Sequence, residues 1–155
     1  MDYFRRPGQR FDVVDSGSAE APAVVLLHGF PQQPYSFDAV ARQLNAAGLR
    51  TLTPTQRGYT PAARPTRRRD YRTSATTADV VALLETAGLA QAHIVGHDSG
   101  GNQAWGVAGW HPDRVASLTV LSTPHPAAFV KSLWTSRQAC GRGTWGSSGC
   151  RRCQS

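Results

Sequence analysis

The sequence contains no apolar run near 18 residues, the length that a membrane-spanning helix needs. Its first residues, "MDYFRRPGQRFDVV", lack the apolar segment of an export signal. Hydrophobic residues make up 40% of the chain and charged residues 17%, which is typical of a globular protein. We therefore expect a globular protein with no membrane partner and a cytoplasmic location.

Lysine is almost absent, since Lys131 is the only one among 17 basic residues, and the net charge of +7 comes from arginine. Much of this charge lies in the segment "ARPTRRRDYR", residues 63–72. A nucleic-acid surface usually adds interleaved aromatic residues or a recognised reading motif. Neither is present, so we interpret the segment as a solvated loop and expect no nucleic-acid partner.

Cysteine is also scarce, and all three cysteines lie in the last 16 residues, at Cys140, Cys150 and Cys153. The pair in "CRRC" has neither the helix-opening context of a redox motif nor the second ligand pair of a zinc site. We therefore expect no metal site and no redox function.

Strand-like and helix-like segments alternate along the chain, which favours a mostly parallel sheet with helices on both faces. The consecutive apolar residues of "APAVVLLHGF" predict a strand buried on both faces. We expect one helix in "SFDAVARQLNAAG", capped by Ser36, and a second in "TSATTADVVALLETAG", with Ala78, Val81 and Leu84 on its buried face. The other predicted strands are "RFDVVDSG", "LRTLTPTQRG", "QAHIVGH" and "RVASLTVLSTP", and the last clear helix is "GGNQAWGVAGW". The fold class is α/β, a three-layer α/β/α arrangement of about six strands.

The segment "HIVGHDSGGNQAW" has the pattern of a nucleophile elbow, a sharp strand-to-helix turn that presents one side chain. Such a turn needs minimal side chains two residues before and two after its central residue. A turn centred on Asp98 has Gly96 and Gly100 at those positions, whereas one centred on Ser99 has the bulky His97. The pattern therefore favours Asp98, which the helix N-terminus would keep ionised. A helix-capping role for Asp98 is the alternative.

A second turn follows the buried strand, in "LLHGFPQ". Gly29 allows the backbone to turn so that the N–H of Phe30 points into a site. Together with the N–H of Ser99 it would form an oxyanion hole. Both turns follow strands at their carboxyl ends, where open α/β sheets bind ligands.

Four motifs and the order in which they come make the chain resemble the α/β-hydrolase family, in its epoxide-hydrolase-like branch. They are "HGFP", "QRGYTPAARP", "VGHDSGG" and "HPDRVASLTVLSTPHPAAF". The resemblance covers about residues 9–138 and matches the N-terminal half of that fold. It implies that Asp98 attacks an epoxide, or a related apolar small-molecule electrophile, to form an alkyl ester, without a cofactor. It also implies an oxyanion hole from Phe30 and Ser99 and a cis Phe30-Pro31 bond. The supporting residues of the two motifs are His28, Gly29, Pro31, Gly96, His97 and Gly100.

The chain departs from the family in two ways. Ser99 stands where these hydrolases usually carry tryptophan, and the lid tyrosines, charge-relay acid and base histidine of the family lie beyond the matching region. His125 is the one local histidine at the carboxyl side of the sheet, and we assign it no catalytic role.

We expect a partial domain over 1–138 and an irregular, non-native tail over 139–155, from a frameshift or truncation. The chain is then an inactive fragment of an epoxide-hydrolase-like enzyme. The alternatives are a non-catalytic remnant or binding domain, and a serine esterase acting through Ser99.

Overall fold

A computed structural model describes residues 1–135 of the chain. The predicted irregular tail, 139–155, and its three cysteines lie outside the described residues. The chain divides into two units, Met1–Thr123 and a second that begins at Pro124. In the second unit the structure describes helix α4, Pro126–Thr135. The described part of the chain contains no helix long and apolar enough to cross a membrane.

The first unit is built on a six-stranded sheet, as predicted. Its strands lie in the order β1-β2-β4-β3-β5-β6. Strands β3 to β6 run parallel to one another, while β2 is antiparallel to both β1 and β4. The strands are β1 Tyr3–Arg6, β2 Gln9–Ser16, β3 Ala23–Leu27, β4 Arg50–Pro54, β5 Ala92–His97 and β6 Val115–Leu121.

Helices cover both faces of this sheet and complete the three layers. Helix α1, Asp38–Ala46, packs against Val24 and Leu26 on one face. Helices α2, Thr73–Thr86, and α3, Ser99–Trp110, cover the larger core on the other face. Every residue of β3 is buried, as its continuous apolar run predicts, because helices lie on both sides of it.

Two local predictions were wrong. Ser36 does not cap α1, because Pro34 opens a 3-10 turn over Pro34–Phe37 and places Ser36 inside it. The N-cap of α1 is Phe37, with no side-chain capping bond.

The buried face of α2 differs from the predicted one. It is formed by Thr77, Asp79, Val80, Leu83 and Leu84, whereas Ala78 and Val81 are only partly buried. Asp79 is part of this face because Arg57 donates two hydrogen bonds to it, at 2.8 and 2.6 Å, and compensates its charge. The prediction rested on the spacing of apolar residues alone, so it did not identify a buried carboxylate.

Candidate active site

Asp98 lies at the turn between β5 and α3, with strained backbone angles of φ 51° and ψ −117°. Contacts from the end of β6 hold this conformation. The Asp98 N–H donates to the Leu121 carbonyl at 3.1 Å, and the Thr123 hydroxyl donates to the Asp98 carbonyl at 2.7 Å. The turn therefore presents the Asp98 side chain from an anchored backbone.

The glycines on either side of Asp98 have no space for a side chain. A Cβ at Gly96 would lie 2.4 Å from the Gly100 carbonyl oxygen, and one at Gly100 would lie 2.2 Å from the Leu27 carbonyl oxygen. Gly101 is also required, because its Cβ would lie 2.5 Å from the Thr123 hydroxyl oxygen. The strained residue is Asp98, and Ser99 is the first residue of α3.

The turn after β3 meets the turn after β5 at the Asp98 carboxylate. The Phe30 N–H donates to Asp98 Oδ1 at 3.0 Å. The Phe30-Pro31 peptide bond is cis, as the resemblance implies. The N–H of Phe30, with that of Ser99 second, lowers the pKa of the Asp98 carboxyl below its usual 3.8. Asp98 is exposed, and its carboxyl is ionised at neutral pH.

Hydrogen bonds fix the direction in which the Phe30 N–H points. The carbonyl of the same peptide unit belongs to Gly29 and accepts bonds from the Gln32 N–H at 2.9 Å, from His28 Nδ1 at 3.1 Å and from the Tyr59 hydroxyl at 3.4 Å. In a trans peptide the carbonyl and the N–H point in opposite directions. Holding the Gly29 carbonyl on one side therefore aims the Phe30 N–H at Asp98.

The Gln32 side chain joins the two turns. Its Oε1 accepts the Gly29 N–H at 3.1 Å and lies 3.0 Å from His97 Nδ1. Gly29 also lies too close to Asp98 and His97 to carry a side chain, since its Cβ would be 2.7 Å from Asp98 Cβ. The sequence predicted the two turns, but it did not predict the side chain that links them.

Three of the histidines in the first unit have ring nitrogens committed to structural contacts. His28 is buried, which lowers its pKa, and its Nε2 accepts the Gln56 N–H at 3.2 Å. His93 Nδ1 bonds Ser117 Oγ at 2.7 Å, and His97 contacts Gln32. His125 belongs to the second unit, where the Ala127 N–H donates to its Nδ1 at 3.2 Å. We assign none of these histidines as a base.

Sequence reasoning missed Gln32, Tyr59, Leu121 and Thr123, which all hold parts of the site. Tyr59 lies within the quoted "QRGYTPAARP", but nothing in that segment indicates a contact with Gly29. The contacts of Leu121 and Thr123 with Asp98 result from the position of β6 beside β5. Residues 1–135 contain no group of three His, Cys, Asp or Glu side chains that could hold a metal ion.

A model of the α/β hydrolase fold family matches residues 22–137. Epoxide hydrolase A of Mycobacterium tuberculosis is 42% identical over 117 residues, which make up 76% of this chain and 36% of that protein. Epoxide hydrolase 3 of Xenopus tropicalis is 38% identical over 122 residues, or 79% of this chain and 33% of that protein. The chain thus spans about a third of the length of these relatives.

Solved structures of epoxide hydrolases are also similar to this chain. An epoxide hydrolase from metagenomes of hot environments superposes with a TM-score of 0.81 at 36% identity, covering 87% of this chain and 46% of that one. Epoxide hydrolase A of Mycobacterium thermoresistibile gives a TM-score of 0.74 at 33% identity, covering 84% of this chain and 43% of that one.

Proposed function

This chain belongs to the α/β hydrolase fold family, and we propose that it carries the nucleophile half of an epoxide hydrolase site, with Asp98 as the nucleophile. An Asp98 carboxylate oxygen attacks an epoxide carbon, a carbon–oxygen bond of the ring breaks, and an alkyl ester forms. The ring oxygen leaves as an alkoxide and takes a proton from solvent, which reaches this exposed site. The similarity to epoxide hydrolases supports this choice of substrate.

The observation that carries the proposal is the contact between Phe30 and Asp98. The Phe30 N–H lies 3.0 Å from Asp98 Oδ1, in the position from which it would stabilise negative charge on that oxygen. Before the attack this donor keeps the carboxylate ionised. When water later attacks the ester carbonyl, Phe30 and Ser99 would hold the resulting oxyanion.

Release of the product requires a base to activate that water. We assign no histidine of the described residues to this role; His28, His93, His97 and His125 each have a ring nitrogen in another contact. We therefore expect the 155-residue chain to accumulate the alkyl ester without repeated turnover. A small-molecule epoxide is the proposed substrate, and the step needs no cofactor.

The test is incubation with styrene oxide, followed by peptide mapping by mass spectrometry and a diol assay. We expect stoichiometric labelling of Asp98 and no diol beyond the uncatalysed level. Asp98→Asn should abolish the label at this position, while Ser99→Ala should retain it. A folded chain that leaves Asp98 unlabelled would favour a non-catalytic binding domain. Turnover of an ester that is lost only in Ser99→Ala would assign the site to the serine.

A further inference from the structure

A pocket of about 270 Å³ lies beside the turn that carries Asp98. Phe30 and Ser99, which flank the carboxylate, form part of its wall, and Tyr59, Asn102 and Gln103 also line it. Gln103 is only 6% exposed, and its Oε1 accepts no hydrogen bond from the described residues. The pocket wall thus combines apolar surface with the polar side chains of Ser99 and Asn102, next to the position of a ligand bound at Asp98.

A second depression, of about 470 Å³, lies next to this pocket and shares Tyr71 with it. Its other lining residues are Arg68, Arg69 and Arg72, and we call it the arginine depression. All three arginines are exposed, so their guanidinium groups are open to a ligand.

The arginines of this depression lack partners within the described part of the chain. None of the three side chains makes a hydrogen bond or an ion pair there, and neighbouring Asp70 forms no ion pair with them. Elsewhere in the same unit, Arg50 pairs with Asp15 and Arg57 pairs with Asp79. Three like charges lining one concave surface repel one another, and a bound anion relieves that repulsion.

We propose that the arginine depression binds an anionic substituent of the substrate while the epoxide lies at Asp98. This inference rests on the proposed function, and it narrows the substrate class to epoxides that carry a carboxylate or a phosphate monoester on a spacer. The planar guanidinium fork matches the oxygens of both groups. A spacer is needed because Tyr71 and the pocket separate the depression from Asp98.

The test compares labelling rates of Asp98 at low salt with 7,8-epoxyoctanoate and with its neutral amide. We expect the carboxylate to react about tenfold faster, an advantage that 0.5 M sodium chloride removes. The short acid 3,4-epoxybutanoate should show no such advantage over its amide. A parallel experiment compares 7,8-epoxyoctyl phosphate with the same neutral amide. The anion whose labelling rate exceeds that of the amide by the larger factor is the preferred one.

Two variants with the same loss of charge separate a local site from a general effect. Arg68→Ala/Arg69→Ala should bring the carboxylate-to-amide ratio close to one while leaving the rate with styrene oxide unchanged. The control Arg5→Ala/Arg42→Ala removes two exposed arginines from other parts of the fold and should keep the ratio. Equal rates for acid and amide in the wild-type chain, or an equal loss in both variants, would overturn the proposal.

A binding experiment keeps the inference independent of the chemistry at Asp98. We expect octanoate, which has no epoxide, to shift backbone NMR signals around Tyr71 more than octanamide does, and the shifts to disappear in Arg68→Ala/Arg69→Ala. If no epoxide labels Asp98 but octanoate binds in this way, the anion site stands and the proposed function fails. If octanoate and octanamide give the same small shifts, the anion site is wrong.

Discussion

Gln32 Oε1 lies 3.0 Å from His97 Nδ1, so that one amide side chain joins the turn after β3 to the turn that carries Asp98. The same oxygen accepts the Gly29 N–H at 3.1 Å. The position of the Phe30 donor relative to Asp98 therefore depends on a residue whose side chain makes no hydrogen bond to Phe30 or to the carboxylate among the described residues.

Replacement of Gln32 should slow the reaction at Asp98 while destabilising the fold only modestly. In Gln32→Ala we expect the free energy of unfolding to fall by about 1 kcal/mol, because the Gly29 N–H and His97 lose a shared acceptor. Labelling of Asp98 by styrene oxide should slow several-fold, whereas Gln32→Glu keeps an acceptor and should retain most of the rate. Urea unfolding and mass spectrometry measure the two effects. Gln33→Ala is the matched control, and an equal loss of rate there would refute the role of Gln32.

Gly100 and Gly109 lie in the same helix and should respond oppositely to substitution by alanine. A Cβ at Gly100 would lie 2.2 Å from the Leu27 carbonyl oxygen, so the strand and helix must move apart. We expect Gly100→Ala to lower the free energy of unfolding by about 2–3 kcal/mol. A Cβ at Gly109 meets nothing within 4 Å, and Gly109→Ala should stabilise by up to about 1 kcal/mol. Similar denaturation midpoints for the two variants would contradict the packing that we describe.

The rate of Asp98 labelling should not change with pH until the solution becomes strongly acidic. Only the ionised carboxylate attacks, and the Phe30 and Ser99 N–H groups hold its pKa below 3.8. The rate should therefore be level from about pH 8 to pH 5 and fall only as the pH drops below about 4. Short labelling pulses, normalised to the remaining epoxide, measure this profile, with circular dichroism to show that the chain stays folded. Half-maximal labelling near pH 6 would point to a different titrating group.

Strand β6 should promote self-association, because among the described residues it pairs with β5 on one side only. Unpaired backbone groups on an edge strand can bind a second chain, and a lysine on that strand opposes this. We expect the wild-type chain to self-associate in sedimentation velocity experiments and Thr119→Lys to shift it toward monomer. Gln43→Lys adds the same charge on an exposed position of α1 and should leave the association unchanged. A monomeric wild-type chain at all concentrations would disprove the prediction.

The sequence by itself determined strands β2 to β6, helices α1 to α3 and the glycines of the elbow, whereas strand β1 was not predicted. Gly48 and Gly88 end α1 and α2 with positive φ values of 82° and 70°, each two residues after the last helical position. Gly96 and Gly100 identify Asp98 as the centre of the turn because the steric requirement acts over two residues on each side. Because these requirements involve residues only two positions apart, the sequence alone is sufficient to predict them.

Only the tertiary structure decided which side chains hold the elbow and its donor in place. Thr123 reaches the Asp98 carbonyl across 25 positions, and Gln32 reaches His97 across 65. Both contacts depend on the register of the parallel strands. The Leu27–Gly96 pair brings the ends of β3 and β5 together, and the His97–Leu121 pair places the end of β6 beside Asp98. The periodicity of a strand specifies which face is buried but not its partner's register, so these contacts were visible only once the sheet had formed.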